Sequence, residues 1–168
     1  SVELKDIGAI GFTKGPGLLG SLLVGVSFAK SLSLSLGIPL IEVNHMEAHI
    51  LAHLIEIEKP SPNFPFLCMT VSGGHTQLVK VSSPYEFDVI GETIDDAAGE
   101  AFDKISKIMG LPYPGGPILD NFASQGDKNA FQFSLPKVGD YNYSFSGLKT
   151  SVLYFLQKEM KKDSSFIK

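Results

Sequence analysis

Two histidines spaced one helical turn apart are the residues of this sequence best suited to hold a metal ion. His45 and His49 lie in a segment whose pattern predicts a helix over about 45–58, so their imidazoles share one helical face. Neutral imidazole is a common ligand of zinc and other transition metals. Two ligands do not complete a site, and a polar helix edge explains the pair equally well. His53, one turn further, is interpreted as a surface residue or one that supports the ligands.

A glycine pair between two strand-like segments, 66–71 and 77–81, is the second chemical candidate. Gly73 and Gly74 predict a tight β-hairpin whose turn requires positive φ. Their missing side chains also let a ligand reach the backbone N–H groups, which is typical of an anion or phosphate site. An ordinary hairpin explains the two glycines alone, and the neighbouring motifs are what favour a binding role.

One carboxylate lies inside a helix predicted to begin at Asp95-Asp96 and to end before Gly110. Acids at a helix start complement the helix dipole, so capping of this helix explains Asp95 and Asp96. Asp103 has two open interpretations: it accepts hydrogen bonds from ligand hydroxyls, or it pairs with Lys107 at i+4.

A second carboxylate follows a second glycine pair. Asp120 begins a short predicted helix after Gly115-Gly116, and it is either a ribose or amino-acid contact or a solvated acid after a plain turn. Lys149 follows Gly147 and either meets a phosphate or is solvated. No Ser–His–Asp arrangement follows from the spacing.

The segment 15–20 has the form GxGxxG, and Glu42 ends the next strand-like segment about 20 residues on, as in dinucleotide-binding folds. Pro16, however, removes one backbone donor from the loop. Helix-start geometry and close packing explain the glycines, so we interpret this motif as structural.

The elements that must position these groups alternate between strand and helix, which predicts an α/β fold with parallel pairing and right-handed crossovers. A proline-rich connector at 59–65 predicts two parts of the chain, 1–59 and 60–168. The predicted segments are strands at 7–12, 38–43 and 87–90, helices at 18–36 and 118–123, and short strands with loop at 131–143. Residues 144–150 lead into a closing helix that is predicted to run to about 160.

Size and composition are those of an ordinary globular protein. The chain has 168 residues, 43% hydrophobic and 19% charged, enough for one core or parts of two lobes. Glycines, serines and charged residues interrupt every apolar stretch, so no membrane span is expected. The chain opens on Ser1 and stops without a clear boundary, so we expect a fragment.

Cys68 is the only cysteine, which excludes an intrachain disulfide and predicts a reducing, cytoplasmic location. It lies in an apolar strand, where a buried structural thiol is the better interpretation. The net charge is −4, and all fourteen basic residues are lysines. A chain without arginine is a poor nucleic-acid clamp by itself.

Taken together, these motifs resemble the TsaD family, the tRNA adenosine threonylcarbamoyltransferases formerly called O-sialoglycoprotein endopeptidases or glycoproteases. Each motif is weak alone, but the set follows the family's order over nearly the whole chain. The motifs are GPGLL (15–19), NHMEAH (44–49), VSGGHTQL (71–78), DDAAGEAFDK (95–104), YPGGP (113–117) and FSGLKT (145–150). His75 after the glycine pair is similar to the bacterial and mitochondrial branch.

The resemblance implies an actin/Hsp70/sugar-kinase-like (ASKHA) fold of two related α/β lobes, here incomplete. It implies metal-assisted transfer of threonylcarbamoyl from threonylcarbamoyl-adenylate to the exocyclic amine of the adenosine beside the anticodon of tRNA. By matching position, His45 and His49 would bind iron or zinc and would be catalytic. The adenylate would contact Val71, Ser72, Gly73, Gly74, His75, Asp103, Gly116 and Asp120.

The resemblance also implies TsaB-like and TsaE-like partners, a homodimer or heterodimer, and a mitochondrial location in a eukaryote. The family's first phosphate loop would precede Ser1, and its third metal ligand, an aspartate, would follow Lys168. Two alternatives remain: a metalloprotease, disfavoured because Glu47 lies two residues after His45 rather than in HExxH order, and an inactive nucleotide-binding or interaction fragment.

Overall fold

The computed structural model describes residues 3–55, 60–134, 136 and 138–167. The chain divides into two compact units, 1–64 and 65–168. Each unit combines β-strands with helices, which confirms the α/β class. The division falls inside the proline-rich connector, five residues after the position that the sequence suggests.

The first unit is a parallel β–α–β arrangement followed by a short helix. Strands β1 (Ile10–Gly15) and β2 (Leu40–Asn44) pair in parallel and are joined by helix α1 (Leu19–Leu36). Helix α1 stops at Gly37, whose φ of 65° is left-handed and therefore suits glycine. The parallel pairing that the alternating pattern predicts is confirmed.

Helix α2 (His45–Leu51) follows β2 directly and is shorter than the predicted 45–58. A 3₁₀ turn, Ala52–Leu54, succeeds it and contains His53. Positions 56–58 of the predicted helix lie outside the described residues. The pair His45 and His49 is nevertheless contained in the regular helix.

Among the described residues, one helix is long and apolar enough to cross a membrane by length and composition. It is α1, with 18 residues, a mean hydropathy of 1.5 and 6% of its residues buried. The expectation that no apolar run reaches that length was therefore wrong, because serine and glycine lower mean hydropathy much less than charged residues do. A core helix of a soluble protein passes the same test, so α1 alone does not indicate a membrane protein.

The second unit begins with an antiparallel sheet in the order β3–β4–β5. Its strands are β3 (Phe66–Val71), β4 (Thr76–Ser83) and β5 (Glu86–Glu92). The pairing of Val71 with Thr76 confirms the predicted hairpin around the glycine pair. Cys68 is buried in β3, where desolvation raises the pKa of its thiol, as a structural cysteine requires.

Three helices follow the sheet: α3 (Ala98–Ile108), α4 (Gly116–Ala123) and α5 (Ser146–Lys162). Ile105 of α3 packs with Val152 and Leu156 of α5 to form the apolar cluster between these helices. In the described part of 131–143, the predicted short strands are replaced by loop, with one isolated bridge between Tyr143 and Thr93.

Helix α3 begins three residues later than predicted. Asp95 and Asp96 precede its first residue, Ala98, and do not cap it. Acids that directly precede a helix commonly cap that helix, which is why the sequence predicts capping by these two residues. Both carboxylates bind groups that are distant in sequence.

Candidate metal and adenylate sites

The histidine pair is positioned by a capped helix start. The side-chain oxygen of Asn44 accepts hydrogen bonds from the backbone N–H groups of Met46 and Glu47, at 2.8 and 3.2 Å. This cap lets α2 begin immediately where β2 ends. Both imidazoles consequently project from the first two turns of α2, and both are exposed.

The two imidazoles of the pair are close enough to share one ion. The Nε2 atoms of His45 and His49 are 3.0 Å apart, and their ring centroids are 4.8 Å apart at an interplanar angle of 26°. Zinc–imidazole bonds are about 2.0–2.1 Å long, so two ligands on one ion bring their nitrogen atoms to roughly this separation. The residues therefore fit a shared transition-metal ion.

A backbone carbonyl fixes the orientation of the first imidazole. Nδ1 of His45 lies 3.1 Å from the carbonyl oxygen of Pro16. Since a carbonyl only accepts, Nδ1 carries the proton and donates, which leaves the lone pair of Nε2 available for a metal. In the described part of the chain, no group of three His, Cys, Asp or Glu side chains completes a metal site.

An ion pair beside the same loop argues against the dinucleotide interpretation of the glycine motif. Glu42, in the position of a ribose-binding acid, pairs instead with Lys14 at 2.6 Å. This pair raises the pKa of Lys14 through the hydrogen bond and the charge of Glu42. In the loop between β1 and α1, the Pro16 carbonyl group orients the His45 side chain.

The glycine turn of the second unit is organised by a serine. The hydroxyl oxygen of Ser72 accepts hydrogen bonds from the N–H groups of Gly74 and His75, at 3.3 and 3.0 Å. The Ser72 hydroxyl donates to the His75 carbonyl at 3.1 Å, and the Ser72 N–H donates to the same oxygen at 2.8 Å. These bonds fold residues 72–75 into a compact loop after Val71, whose side chain is exposed.

Two expectations about this turn need correction. Neither Gly73 nor Gly74 has a left-handed φ, so the turn is a four-residue loop and not a Gly-Gly turn with positive φ. The Gly74 N–H group is already bonded to the Ser72 hydroxyl. Of the two glycine donors assigned to a phosphate, only the Gly73 N–H has no partner among the described residues.

The reason for glycine on α3 is the close approach of the turn. A Cβ atom at Gly99 would lie 2.8 Å from the Cα of Gly73 and 2.9 Å from the carbonyl oxygen of Ser72. The Gly99 N–H donates to that same carbonyl at 3.2 Å. One residue earlier, the Ala98 N–H donates to the hydroxyl of Thr76, which is fully buried. The start of α3 and the glycine turn are thus packed backbone against backbone.

A cavity of about 340 Å³ opens beside this contact. It brings together Gly73, Asp103, Gly116 and Asp120, four of the eight residues that the sequence assigns to the adenylate. Phe102 and Pro117 supply apolar surface to the same cavity. The other four assigned residues, Val71, Ser72, Gly74 and His75, belong to the adjoining turn and do not line this cavity.

Asp103 has a partner that neither sequence interpretation included. Its Oδ1 accepts hydrogen bonds from the N–H groups of Gly115 and Gly116, both at 2.9 Å. Gly115 is held closely against Ser106 of α3, where no side chain would fit. Asp103 therefore fixes the turn that forms one wall of the cavity, and it keeps Oδ2 for other partners.

A larger cavity of about 730 Å³ adjoins the first and shares Gly73 and Asp103 with it. Glu100, Lys104 and Lys107 provide charged groups there, and Tyr113 provides an aromatic ring. The Glu100–Lys104 ion pair and the Lys107 ammonium group make the lining of this cavity more polar than that of the first.

Asp95 and Asp96 hold the second unit together across long sequence distances. Asp95 caps α5: Oδ1 accepts from the N–H groups of Phe145 and Ser146, and Oδ2 accepts from the hydroxyls of Ser144 and Ser146. Desolvation alone would raise the pKa of Asp95, but these hydrogen bonds outweigh it and hold the pKa well below its usual range.

Asp96 is buried and pairs with two lysines. The Nζ atoms of Lys104 and Lys149 lie 2.5 and 3.0 Å from its two oxygens. The hydrogen bond from Lys104 is the main reason that the pKa of Asp96 is lowered. Lys149 is therefore neither a solvated lysine nor a phosphate ligand in this structure.

These two carboxylates predict a loss of stability in acid. Both pKa values are lowered in the folded state, so the unfolded chain binds more protons once the pH falls below about 4. Their contribution is complete at neutral pH and is lost as the pH falls toward the folded-state pKa values. We expect the difference in Tm between the unsubstituted protein and Asp95→Asn to shrink from pH 7 to pH 3 in thermal unfolding. Parallel Tm curves for the two proteins would contradict this prediction.

Comparison with known proteins finds that the sequence of this chain is similar to those of one protein family. A family model described as TsaD, tRNA N6-adenosine threonylcarbamoyltransferase, matches residues 1–166. A curated protein of that name from Christiangramia forsetii is 64% identical over 168 residues, covering 99% of this chain and 49% of its own length. The corresponding protein of Riemerella anatipestifer is 63% identical with the same coverage, and that of Thermotoga neapolitana is 50% identical over 94% of this chain and 48% of its own. The chain thus spans about half the length of the curated relatives it matches.

Proposed function

Because the chain belongs to the TsaD family of tRNA N6-adenosine threonylcarbamoyltransferases, we propose that it carries the histidine pair and the adenylate pocket of a tRNA threonylcarbamoyltransferase. The observation that carries this proposal is the cavity in which Gly73, Asp103, Gly116 and Asp120 converge. The relatives bear the transferase name, which favours this function over the metalloprotease alternative.

The proposed reaction moves a threonylcarbamoyl group from threonylcarbamoyl-adenylate to the N6 amine of an adenosine in tRNA. The amine nitrogen forms a bond to the carbamoyl carbon, the bond from that carbon to the phosphate oxygen breaks, and AMP leaves while the amine loses a proton. Catalysis of such a transfer depends on holding the acyl-adenylate in one orientation and stabilising charge on the leaving phosphate.

The adenylate is held by the chemistry of the first cavity. The Gly73 N–H donates to the phosphate, since the Gly74 donor is already used by Ser72. Oδ2 of Asp103 and the carboxylate of Asp120 accept hydrogen bonds from the ribose hydroxyls, and Phe102 provides an apolar surface for the base. His75, whose backbone is fixed by Ser72, stands beside the phosphate end of this site.

His45 and His49 bind a divalent ion, iron or zinc, through their Nε2 atoms. When bound, this ion would supply Lewis-acid chemistry to the proposed acyl transfer. Asn44 and the Pro16 carbonyl hold the two imidazoles ready by fixing the helix start and the tautomer of His45. The proposed fold is the two-lobed ASKHA fold of the family, of which units 1–64 and 65–168 would be parts. TsaB-like and TsaE-like proteins and tRNA are the proposed partners, in the cytoplasm.

The proposal is tested by reconstitution. The protein carrying the full length of the relatives is combined with its partner proteins, threonylcarbamoyl-adenylate, a divalent metal and unmodified tRNA, and the nucleosides are separated by mass spectrometry. We expect threonylcarbamoyladenosine only when this protein is present. A complete mixture that yields none, while the bacterial relative converts the same tRNA, would overturn the proposal.

A further inference from the structure

We propose that Asp96 is a positioning residue for the adenylate site, because its ion pairs set the start of α3 and thereby the place of the Gly73 turn. This inference rests on the proposed function only for the identity of the ligand. Asp96 itself lines neither of the two cavities described above, so its effect on the ligand is transmitted through the backbone.

The carboxylate of Asp96 connects two helices. Lys104 lies on α3 and Lys149 on α5, and the Asp96 side chain between them is 12% exposed. Removal of a buried charge from such a group leaves the partner ammonium groups without compensation. Lys104 retains Glu100 as a second partner at 2.8 Å, whereas Asp96 is the only acid paired with Lys149 among the described residues.

A short series of backbone contacts leads from Asp96 to the turn. The carbonyl oxygen of Asp96 accepts the hydroxyl of Thr93 at 2.6 Å. Two residues later, Ala98 donates to the buried Thr76 hydroxyl at 3.0 Å, and next to it Gly99 donates to the Ser72 carbonyl. The segment from Asp96 to Gly99 is therefore fixed at its side chain, its carbonyl group and two successive N–H groups.

The last contact in this series leaves no room for a side chain on Gly99. The Cα atoms of Gly99 and Gly73 face each other so closely that a single added carbon at Gly99 would lie 2.8 Å from Gly73. A shift of the α3 start toward the turn, or loss of the bond from the Gly99 N–H to the Ser72 carbonyl, would therefore displace the turn that presents the Gly73 N–H. Misplacing a binding group by about 1 Å can cost a factor of about 100 in rate, so small displacements matter here.

Asp95 provides a neighbouring acid with a different role. Its carboxylate bonds only to Ser144, Phe145 and Ser146 at the start of α5, according to the hydrogen bonds of the described residues. Loss of Asp95 should therefore weaken the attachment of α5 without moving the glycine turn. A comparison of variants at Asp95 and Asp96 therefore distinguishes a loss of fold stability from a displacement of the glycine turn.

The test compares Asp96→Asn with Asp95→Asn, each in the full-length protein. Hydrogen exchange is measured on residues 72–75, and AMP affinity is measured by calorimetry well below the Tm of each variant. We expect Asp96→Asn to accelerate exchange in the turn and to weaken AMP binding by about tenfold, with KM raised more than kcat is lowered. Asp95→Asn should lower Tm while leaving both readouts within about twofold of the unsubstituted protein, and Asp96→Glu should restore part of the affinity.

Unchanged exchange at 72–75 and unchanged AMP affinity in Asp96→Asn would overturn the inference, as would an equal effect of Asp95→Asn. If the unsubstituted protein does not bind AMP, the proposed function fails. The exchange measurement then still decides whether Asp96 positions the turn.

Discussion

In the full-length protein, replacement of both His45 and His49 by alanine is expected to abolish the proposed metal binding and to slow the proposed tRNA modification by about 1,000-fold or more. The physical reason is the 3.0 Å separation of their Nε2 atoms, which suits two bonds to one ion. With both imidazoles removed, α2 offers no second pair of nitrogen ligands. Metal content by mass spectrometry and the rate of threonylcarbamoyladenosine formation give two independent readouts.

His53→Ala is the matched control for this double variant. His53 lies in the 3₁₀ turn after α2, and among the described residues no hydrogen bond or ring contact joins its side chain to His45 or His49. The control should retain the metal and the rate. A double variant that modifies tRNA at the normal rate would show that the metal role is wrong, and one that keeps its metal would show that the ion binds elsewhere.

Gly99→Ala is expected to weaken adenylate binding by at least about tenfold and to destabilise the fold by about 1–3 kcal/mol through overpacking. The added Cβ would lie 2.8 Å from the Gly73 Cα and 2.9 Å from the Ser72 carbonyl oxygen. Both neighbours are backbone atoms, so the turn itself must move. AMP affinity and the free energy of unfolding, measured in parallel, quantify the two effects.

Gly20→Ala is the control for this substitution. Gly20 is the second residue of α1, as Gly99 is of α3, and a Cβ there would meet no atom within 4 Å. Replacing a helical glycine by alanine in open space gains up to about 1 kcal/mol of stability. The glycine-turn contact is therefore contradicted if Gly99→Ala also stabilises the protein and leaves AMP affinity unchanged.

Local patterns predicted the parts of the fold that depend on neighbouring residues. Strand–helix–strand alternation predicted the parallel pairing of β1 with β2, and the glycine pair predicted the hairpin between β3 and β4. The spacing of His45 and His49 was sufficient to place both imidazoles together, because i and i+4 are neighbours on any helix.

Contacts between distant residues were the part that sequence reasoning missed. Asp103 was expected to meet a ligand or Lys107, yet it bonds to amides twelve and thirteen residues away. Asp95 was expected to cap its own helix, yet it caps α5 about fifty residues later. A carboxylate accepts from any suitable donor, so its residue type does not specify which donor the fold will bring to it.

The carbonyl of Pro16 has a consequence for how the proposed metal ligands tolerate substitutions nearby. Because His45 is oriented by a main-chain oxygen, no side-chain replacement at position 16 deletes the interaction outright. What the imidazole depends on is the path of the loop between β1 and α1. Insertions or deletions between positions 14 and 18 would therefore harm ion affinity more than most changes of residue type there.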